Sequence, residues 1–466
     1  MFYESFALLM PESNLPTQSL KPGGVRRVMR NLGVLLGGRA VNAPLSLVHI
    51  GLATHLLGSY GFGLIAMMYA FARTIGDVVD FQSWQTVLQY GLRPLTDGNR
   101  REFQRIVAFS LLLDISGGIA GLVIGVMISV FAMHSLGWPP EIHRIGILYC
   151  FSILFMASAT PTGLLRVFNR YDLLAVQGTV ATFIRVIGTA AMLLAGPSVA
   201  FLAAVWFLAE VAAWATISFM ALSEMIRRET HIGFREAFYS VVCDLAHRRF
   251  SRNYPRLWRF VFSTNINSTL ALAFGHIGTL VVGAFVGPAS AGYYRIASQI
   301  AAGIAKPATL IQTTVYPEMA RLWRDRAMSR LRRLTVQVAL TAGAIGTALL
   351  LITFFAGEPL LRLYIGPSGA IETLPVTLWL LAAEVVTVWG LPLEPLLFTI
   401  DRSDAAIIAR CLECILFLPG LILVVQKYGL NGVGPTTLAG VTLLICIQLV
   451  FVLRTPLHTK TGKINA

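Results

Sequence analysis

Leu57-Gly58-Ser59-Tyr60-Gly61-Phe62-Gly63-Leu64 is answered later in the chain by Val286-Gly287-Pro288-Ala289-Ser290-Ala291-Gly292-Tyr293. Each stretch runs apolar residue, glycine, four residues, glycine, and the two leading glycines stand 229 positions apart in a chain of 466. Each also separates two long apolar runs. This reads as a tight turn opening a helix, placed twice at the same point of two half-chains, and so as an internal duplication. Membrane transporters built from two such halves bind their cargo between them.

Outward from these turns, apolar runs of about 20 residues recur along the chain, the length a helix needs to cross a bilayer. They fall at about 31–56, 61–83, 106–132, 145–165, 173–195, 198–222, 260–286, 291–316, 334–356, 374–400, 404–426 and 432–453. Only 13% of residues are charged and 56% are hydrophobic, against about 25% charged in ordinary soluble domains. The expected fold is an all-α polytopic membrane protein with 12 transmembrane helices in two six-helix lobes. The expected parts are an N-terminal segment 1–30, a first lobe 31–222, a basic connection 223–259, a second lobe 260–453 and a tail 454–466. Pro11, Glu12, Pro16, Lys21 and Arg26 interrupt any signal-peptide core, so the first span is expected to persist in the mature protein.

The net charge of +14 raises nucleic acid as a partner, but its placement excludes that reading. Twenty-eight Lys and Arg residues fall on one set of alternate connections and the two termini; the opposite side holds only Arg144, Arg362 and Lys427. This is the positive-inside pattern, and it predicts both termini in the cytoplasm with basic loops facing anionic headgroups.

Six cations fall inside the spans: Arg39, Arg73, Arg185, Arg295, Lys306 and Arg410. A cation at mid-bilayer costs about 2.5–3.5 kcal/mol on insertion scales, so each needs a partner, a wet cavity or an anionic cargo. Asp77 lies four residues after Arg73 and Glu413 three after Arg410, so local pairs are expected there. Asp80 and Glu394 lie near span ends and are expected to reach water. Arg39, Asn42 and Ser46 share one helical face. Arg295, close to the end of its span, is the cation best placed to snorkel. Asp114, Glu210 and Glu384 could carry a coupling proton or simply partner an arginine on a neighbouring helix. His276 is expected to be a helix-packing residue. Gly117, Gly118, Gly121 and Gly125 are expected to permit close helix contact. Cys411 and Cys414 are read as two small residues in a helix.

The chain resembles a known family at several points. These are the Gly-x4-Gly opening of the second span, Asp80-Phe81 toward its end, and Ser83-Trp84-Gln85-Thr86-Val87-Leu88-Gln89-Tyr90 after it. Gly292-Tyr293-Tyr294 then opens a span that closes on Val315-Tyr316-Pro317, ahead of the basic segment Arg321 to Arg333. Together they are similar to the polysaccharide-flippase branch of the multidrug/oligosaccharidyl-lipid/polysaccharide exporter superfamily. Many relatives carry Asp-x-Gly where this chain has Asp80-Phe81-Gln82, which removes the residue best suited to a tight turn there.

The resemblance implies a MATE-like architecture and a flippase of the bacterial inner membrane. Its cargo would be an undecaprenyl-diphosphate-linked oligosaccharide for lipopolysaccharide or exopolysaccharide assembly, with membrane lipid and polysaccharide assembly proteins as partners. The substrate-binding set expected is Arg39, Asn42, Arg73, Arg185, Lys306 and Arg295, because guanidinium groups match phosphate oxygens in pairs. Asp114, Glu210 and Glu384 are the ion-coupling candidates. No cofactor or metal is expected, and a proton or Na+ gradient would drive transport. The alternatives are a cation-coupled multidrug exporter of the same superfamily and, more remotely, a membrane polysaccharide polymerase or glycosyltransferase. There is no glycine-rich phosphate loop. The longest external loop expected, 357–373, holds only Glu358, Arg362 and Glu372 as charged residues, which disfavours an enzyme.

Overall fold

A computed structural model describes residues 22–131, 137–247, 250, 252, 254, 257–400 and 402–454. Among these there is no strand. The segment Pro22–Val79 contains two helices, α1 (22–57) and α2 (59–79), meeting at Gly58. Then follow α3 Ser83–Thr96, α4 Arg100–Phe131, α5 His143–Val167, α6 Tyr171–Ala195, α7 Val199–Arg227 and α8 Phe234–Ala246. The second half has α9 Leu257–Phe285, α10 Pro288–Arg324, α11 (328–365) and α12 (367–389) meeting at Gly366, and α13 Leu393–Thr399. It ends with α14 Ser403–Tyr428 and α15 Val433–Arg454. With α3, α8 and the short α13 set aside, twelve helices remain that are long enough to cross a bilayer.

The two repeat glycines share a positive φ with ψ near 170°: Gly58 has φ 69°, ψ 172° and Gly287 φ 117°, ψ 171°. That region is open essentially to glycine alone, so the repeat encodes a turn that no other residue makes cheaply. Gly366 joins α11 to α12 in the same conformation (φ 82°, ψ 169°). The expected loop 357–373 is therefore not a loop. Helix continues to Ile365 and resumes at Pro367, and Glu358 and Arg362 pair at 2.5 Å across one helical turn. At the basic end, beside Gly98 and Gly233, four turns use non-glycine residues with φ between 50° and 57°: Gln82, Asn169, Glu229 and Arg326. Gln82 thus makes the turn left uncertain by the missing glycine, with its backbone N–H donating to Asp80 at 3.1 Å. Asp80 is therefore engaged by the turn as well as lying near the span end.

The buried core divides by half. One cluster joins Phe62, Ile65 and Met67 of α2 to Tyr149 and Ile153 of α5 and Trp206 of α7. A second joins Val282 of α9 and Ala297 of α10 to Val376 and Leu380 of α12, Leu421 of α14 and Val433 of α15. Helix α10 serves both: Ala291 and Ile296 belong to the first cluster, Tyr294 and Ala301 to the second. Helix α2 is buried almost all round, with its Arg73 and Asp77 paired to each other. Three of the four α4 glycines do pack closely: a Cβ on Gly117 would stand 2.5 Å from the Val79 carbonyl, one on Gly121 2.8 Å from Val79 and 2.9 Å from Ile153, and one on Gly125 2.8 Å from Ile153, whereas Gly118 has its nearest neighbour at an ordinary 3.7 Å.

Helix α5 is interrupted by a 3-10 turn at Cys150–Ser152 and by non-helical Ala157 and Ser158. The break exposes a helix N-terminus at Ala159, and Asp114 of α4 fills it, accepting from the Thr160 N–H at 2.7 Å and from the Ser83 hydroxyl at 2.5 Å. A carboxylate suits that place because it meets unpaired N–H groups and the positive end of the helix dipole.

At the basic end, α8 lays Ala237 and Val241 against α4, and Phe250 stacks on Phe109 at 4.8 Å. Arg105 pairs with Asp244 at 2.6 Å, and the Gln104 amide donates to the Thr230 and Ile232 carbonyls at 2.7 Å each. The basic connection is thereby clamped to the first half. Buried Glu224 gathers Arg170, Arg227 (2.9 Å) and Arg228 (3.3 Å). In the second half Arg410 pairs with Glu413 as expected (3.2 Å) and also with Glu394 of α13 (3.3 Å), so Glu394 is an ion-pair partner as well as a partly exposed group.

Candidate functional site

Polar and aromatic side chains from both halves converge around Tyr69 of α2. The Arg185 guanidinium of α6 lies 5.0 Å from the Tyr69 ring centre and 4.6 Å from that of Trp206 on α7. The Arg295 guanidinium, from α10 of the other half, lies 5.5 Å from the same Tyr69 ring. Tyr69 meets Trp206 edge-on at 5.2 Å and His276 of α9 at 5.9 Å, while His49 of α1 meets Trp206 at 5.8 Å. Tyr69 is therefore the residue on which the two halves' charges meet. Each cation over an aromatic face gains about 0.5–2 kcal/mol, more where water is excluded.

The charges do not balance. Arg185 donates to Glu210, with both side chains 12% exposed, and Arg73 pairs with Asp77 at 3.1 Å. Arg295 has no carboxylate within ion-pair distance among the described residues. Several donors and acceptors here also lack a partner: the Nε atoms of Arg185 and Arg295, His49 Nε2, His276 Nδ1 and Trp206 Nε1. An isolated buried guanidinium costs several kcal/mol, so a site of this kind is completed by an anion, water or both.

The substrate-binding set expected from the sequence is partly assembled here. Arg73, Arg185 and Arg295 lie at the site. Arg295 does not snorkel; it points among the aromatic rings because α10 is buried between the halves at this point. Arg185 is already neutralised by Glu210, a pairing between α6 and α7. Asn42 lies on α1 with its Oδ1 buried and unpartnered. Arg39 and Lys306 lie on α1 and α10, with side chains outside the described residues. Of the three ion-coupling candidates, Asp114 is occupied as a helix cap and Glu210 by Arg185. Glu384 of α12 has no ion pair or hydrogen bond among the described residues.

Tyr69, Trp206 and His49 were missed at the sequence level, and a signal existed. Tyr69 precedes Arg73 and Asp77 by one and two helical turns, Trp206 precedes Glu210 by one, and His49 extends the Asn42–Ser46 face by another. His276 packs against Tyr69, so it is a packing residue that also borders the site.

Comparison with known proteins agrees with this architecture. The polysaccharide biosynthesis protein family matches residues 28–323. Inner membrane protein YghQ of Escherichia coli (strain K12) is 33% identical over 344 residues, covering 74% of this chain and 94% of that protein. Among solved structures, an inward-facing multidrug resistance MATE family transporter of the MOP superfamily superposes with TM-score 0.70 at 13% identity, over 88% of this chain and 93% of its own. The lipid II flippase MurJ, in an inward closed conformation, gives TM-score 0.68 at 15% identity, over 90% and 87%. The two solved structures are of a transporter and a flippase. The chain belongs to the polysaccharide biosynthesis protein family, is similar to an inner membrane protein, and has the polytopic all-helical fold of the MATE and MurJ structures.

Proposed function

We propose that this protein flips an undecaprenyl-diphosphate-linked oligosaccharide across the inner membrane by alternating access, for lipopolysaccharide or exopolysaccharide assembly. The observation that carries the proposal is Arg295: a guanidinium with no carboxylate partner among the described residues, beside Arg185, between the halves, on a shared aromatic face. A diphosphate supplies the missing negative charge and accepts the fork geometry of arginine. Tyr69 beside the two cations offers a flat face to the first sugar. The MurJ-like fold supports a lipid-linked cargo. The multidrug alternative fits less well, because an unpaired arginine repels a cationic drug.

In this reading the basic end faces the cytoplasm, following the charge asymmetry of the connections. The lobes 31–222 and 260–453 rock about the site, and 223–259 travels with the first lobe. Glu384 is the coupling carboxylate, since the other two candidates are already engaged.

The test is surface glycan output in a deletion strain of the native host carrying Arg295→Ala, Arg295→Lys or Arg295→Glu, at matched protein levels in the membrane. Arg295→Ala and Arg295→Glu are expected to lower output at least ~10-fold, with Arg295→Lys intermediate. Full output from Arg295→Glu would overturn the anion site. Intact glycan with new drug sensitivity in the deletion strain would favour the exporter alternative.

A further inference from the structure

Helix α1 has a second face. Its Ser46 and His49 look toward the site: Ser46 accepts from Gln299 of α10 at 3.1 Å, and His49 lies against Trp206. Its Leu47, Val48 and Leu52 instead line a cavity of about 710 Å³, closed by Ile300 of α10 and by Leu360 and Leu363 of α11. The volume is within the range of about 300–1,000 Å³ typical of ligand sites. Its walls are apolar apart from a few groups such as His55, Thr353 and Thr377. It opens on the lipid side, where Val48 is 54% and Leu363 81% exposed. The floor is rigid. The Tyr364 phenol donates to the Leu47 carbonyl, and its ring lies so close on Gly51 that a Cβ there would stand 2.5 Å from it.

We infer that this groove holds the head-proximal part of the cargo's polyisoprenoid chain while the diphosphate sits at Arg295. The inference rests on the function proposed above and adds the place of the tail. One helix thickness separates a cation without a carboxylate partner among the described residues from an open apolar trough, and the Gln299–Ser46 hydrogen bond one turn from Arg295 sets the two at a similar depth. Pro44 to His55 spans about 16 Å along α1 at 1.5 Å per residue, overlapping the level of His49 and Ser46. An anionic head joined to a single apolar chain satisfies both sides at once. A phospholipid of the surrounding bilayer does not, because its headgroup stays at the membrane surface. Among the described residues, Ser46–Gln299 is the side-chain hydrogen bond that closes the α1–α10 seam between them.

The experiment uses the full-length protein in nanodiscs with a polyprenyl diphosphate bearing a diazirine in its first isoprene units. Irradiation is followed by peptide mapping. Labelling is expected within 43–55 and 352–364, competed by undecaprenyl diphosphate and not by phosphatidylglycerol. Val48→Trp and Leu363→Trp, both on exposed positions that disturb no core, are each expected to cut labelling at least ~5-fold. Equal competition by phosphatidylglycerol would make the groove a general lipid site and overturn the inference. Labelling confined to α2 and α7 would also overturn it, while leaving the head site standing. Groove labelling that persists undiminished in Arg295→Ala at limiting probe would support the groove and count against the head site, so the two failures are distinguishable.

Discussion

Gly63 and Gly292 lie against each other with no side chain between them. A Cβ on Gly292 would stand 2.6 Å from the Ser59 carbonyl and 3.3 Å from the Gly63 Cα, and a Cβ on Gly63 would overlap the Pro288 carbonyl. The contact is reciprocal: each second glycine of the repeat meets the residue that follows the first glycine of the other copy. Helices α2 and α10 therefore touch backbone to backbone at the end away from the basic loops. The repeat legible in the sequence is a symmetric contact in the structure.

Gly63→Ala and Gly292→Ala are expected to force α2 and α10 apart there, at the cost of about 1–3 kcal/mol typical of overpacking. The melting temperature of the purified protein should fall by several degrees. Gly420→Ala is the control, since a Cβ there meets nothing within 4 Å and removing a helical glycine favours the helix by about 0.5–1 kcal/mol. Equal melting of Gly292→Ala and wild type would contradict the close contact.

Arg185→Ala should destabilise more than the double variant Arg185→Ala/Glu210→Ala. The single change strands a buried carboxylate, a loss of about 3–5 kcal/mol, whereas removing both charges leaves none unpaired. Thermal melts check the stability order. Transport should fail in both, because the guanidinium over Tyr69 is gone in both.

Glu384→Gln is expected to keep cargo binding and lose dependence on the ion gradient. Asp114→Asn, by contrast, should lower stability, because it weakens the cap on the Ala159 helix. Measuring transport with and without an imposed gradient, beside a melting curve for each variant, separates the two roles. A gradient response retained by Glu384→Gln would remove it as the coupling residue.

Glu224→Gln is expected to loosen the basic end of the first half. Its side chain is 6% exposed and meets Arg170, Arg227 and Arg228, so losing its charge leaves three guanidinium groups repelling one another. Faster limited trypsin cleavage near Arg227 and Arg228 is the readout, with no change expected at Arg454.

What the residues disclosed on their own was what depends on neighbours along the chain. Span count follows from run length, and the arginine-bearing connections give the expected sidedness. Arg73–Asp77 and Arg410–Glu413 follow from helical spacing, because three or four residues bring side chains onto one face. The same logic failed at 357–373, where Gly357, Glu358, Pro359 and Pro367 look like a loop. The chain stays helical because a single glycine, Gly366, makes the whole reversal, and because membrane helices tolerate proline.

Sequence by itself determined the membrane class, the twelve-helix layout, the two-copy repeat and its turn glycines, since each is written in local hydropathy, charge and spacing. Only the tertiary structure decided which buried charges cancel. Arg185 finds Glu210 on the next helix, Asp114 is spent on a helix terminus, and Arg295 turns inward to share Tyr69 with Arg185. Coulomb energy depends on distance in space and on the water left around each group. Neither is encoded by the position of one residue along its own helix.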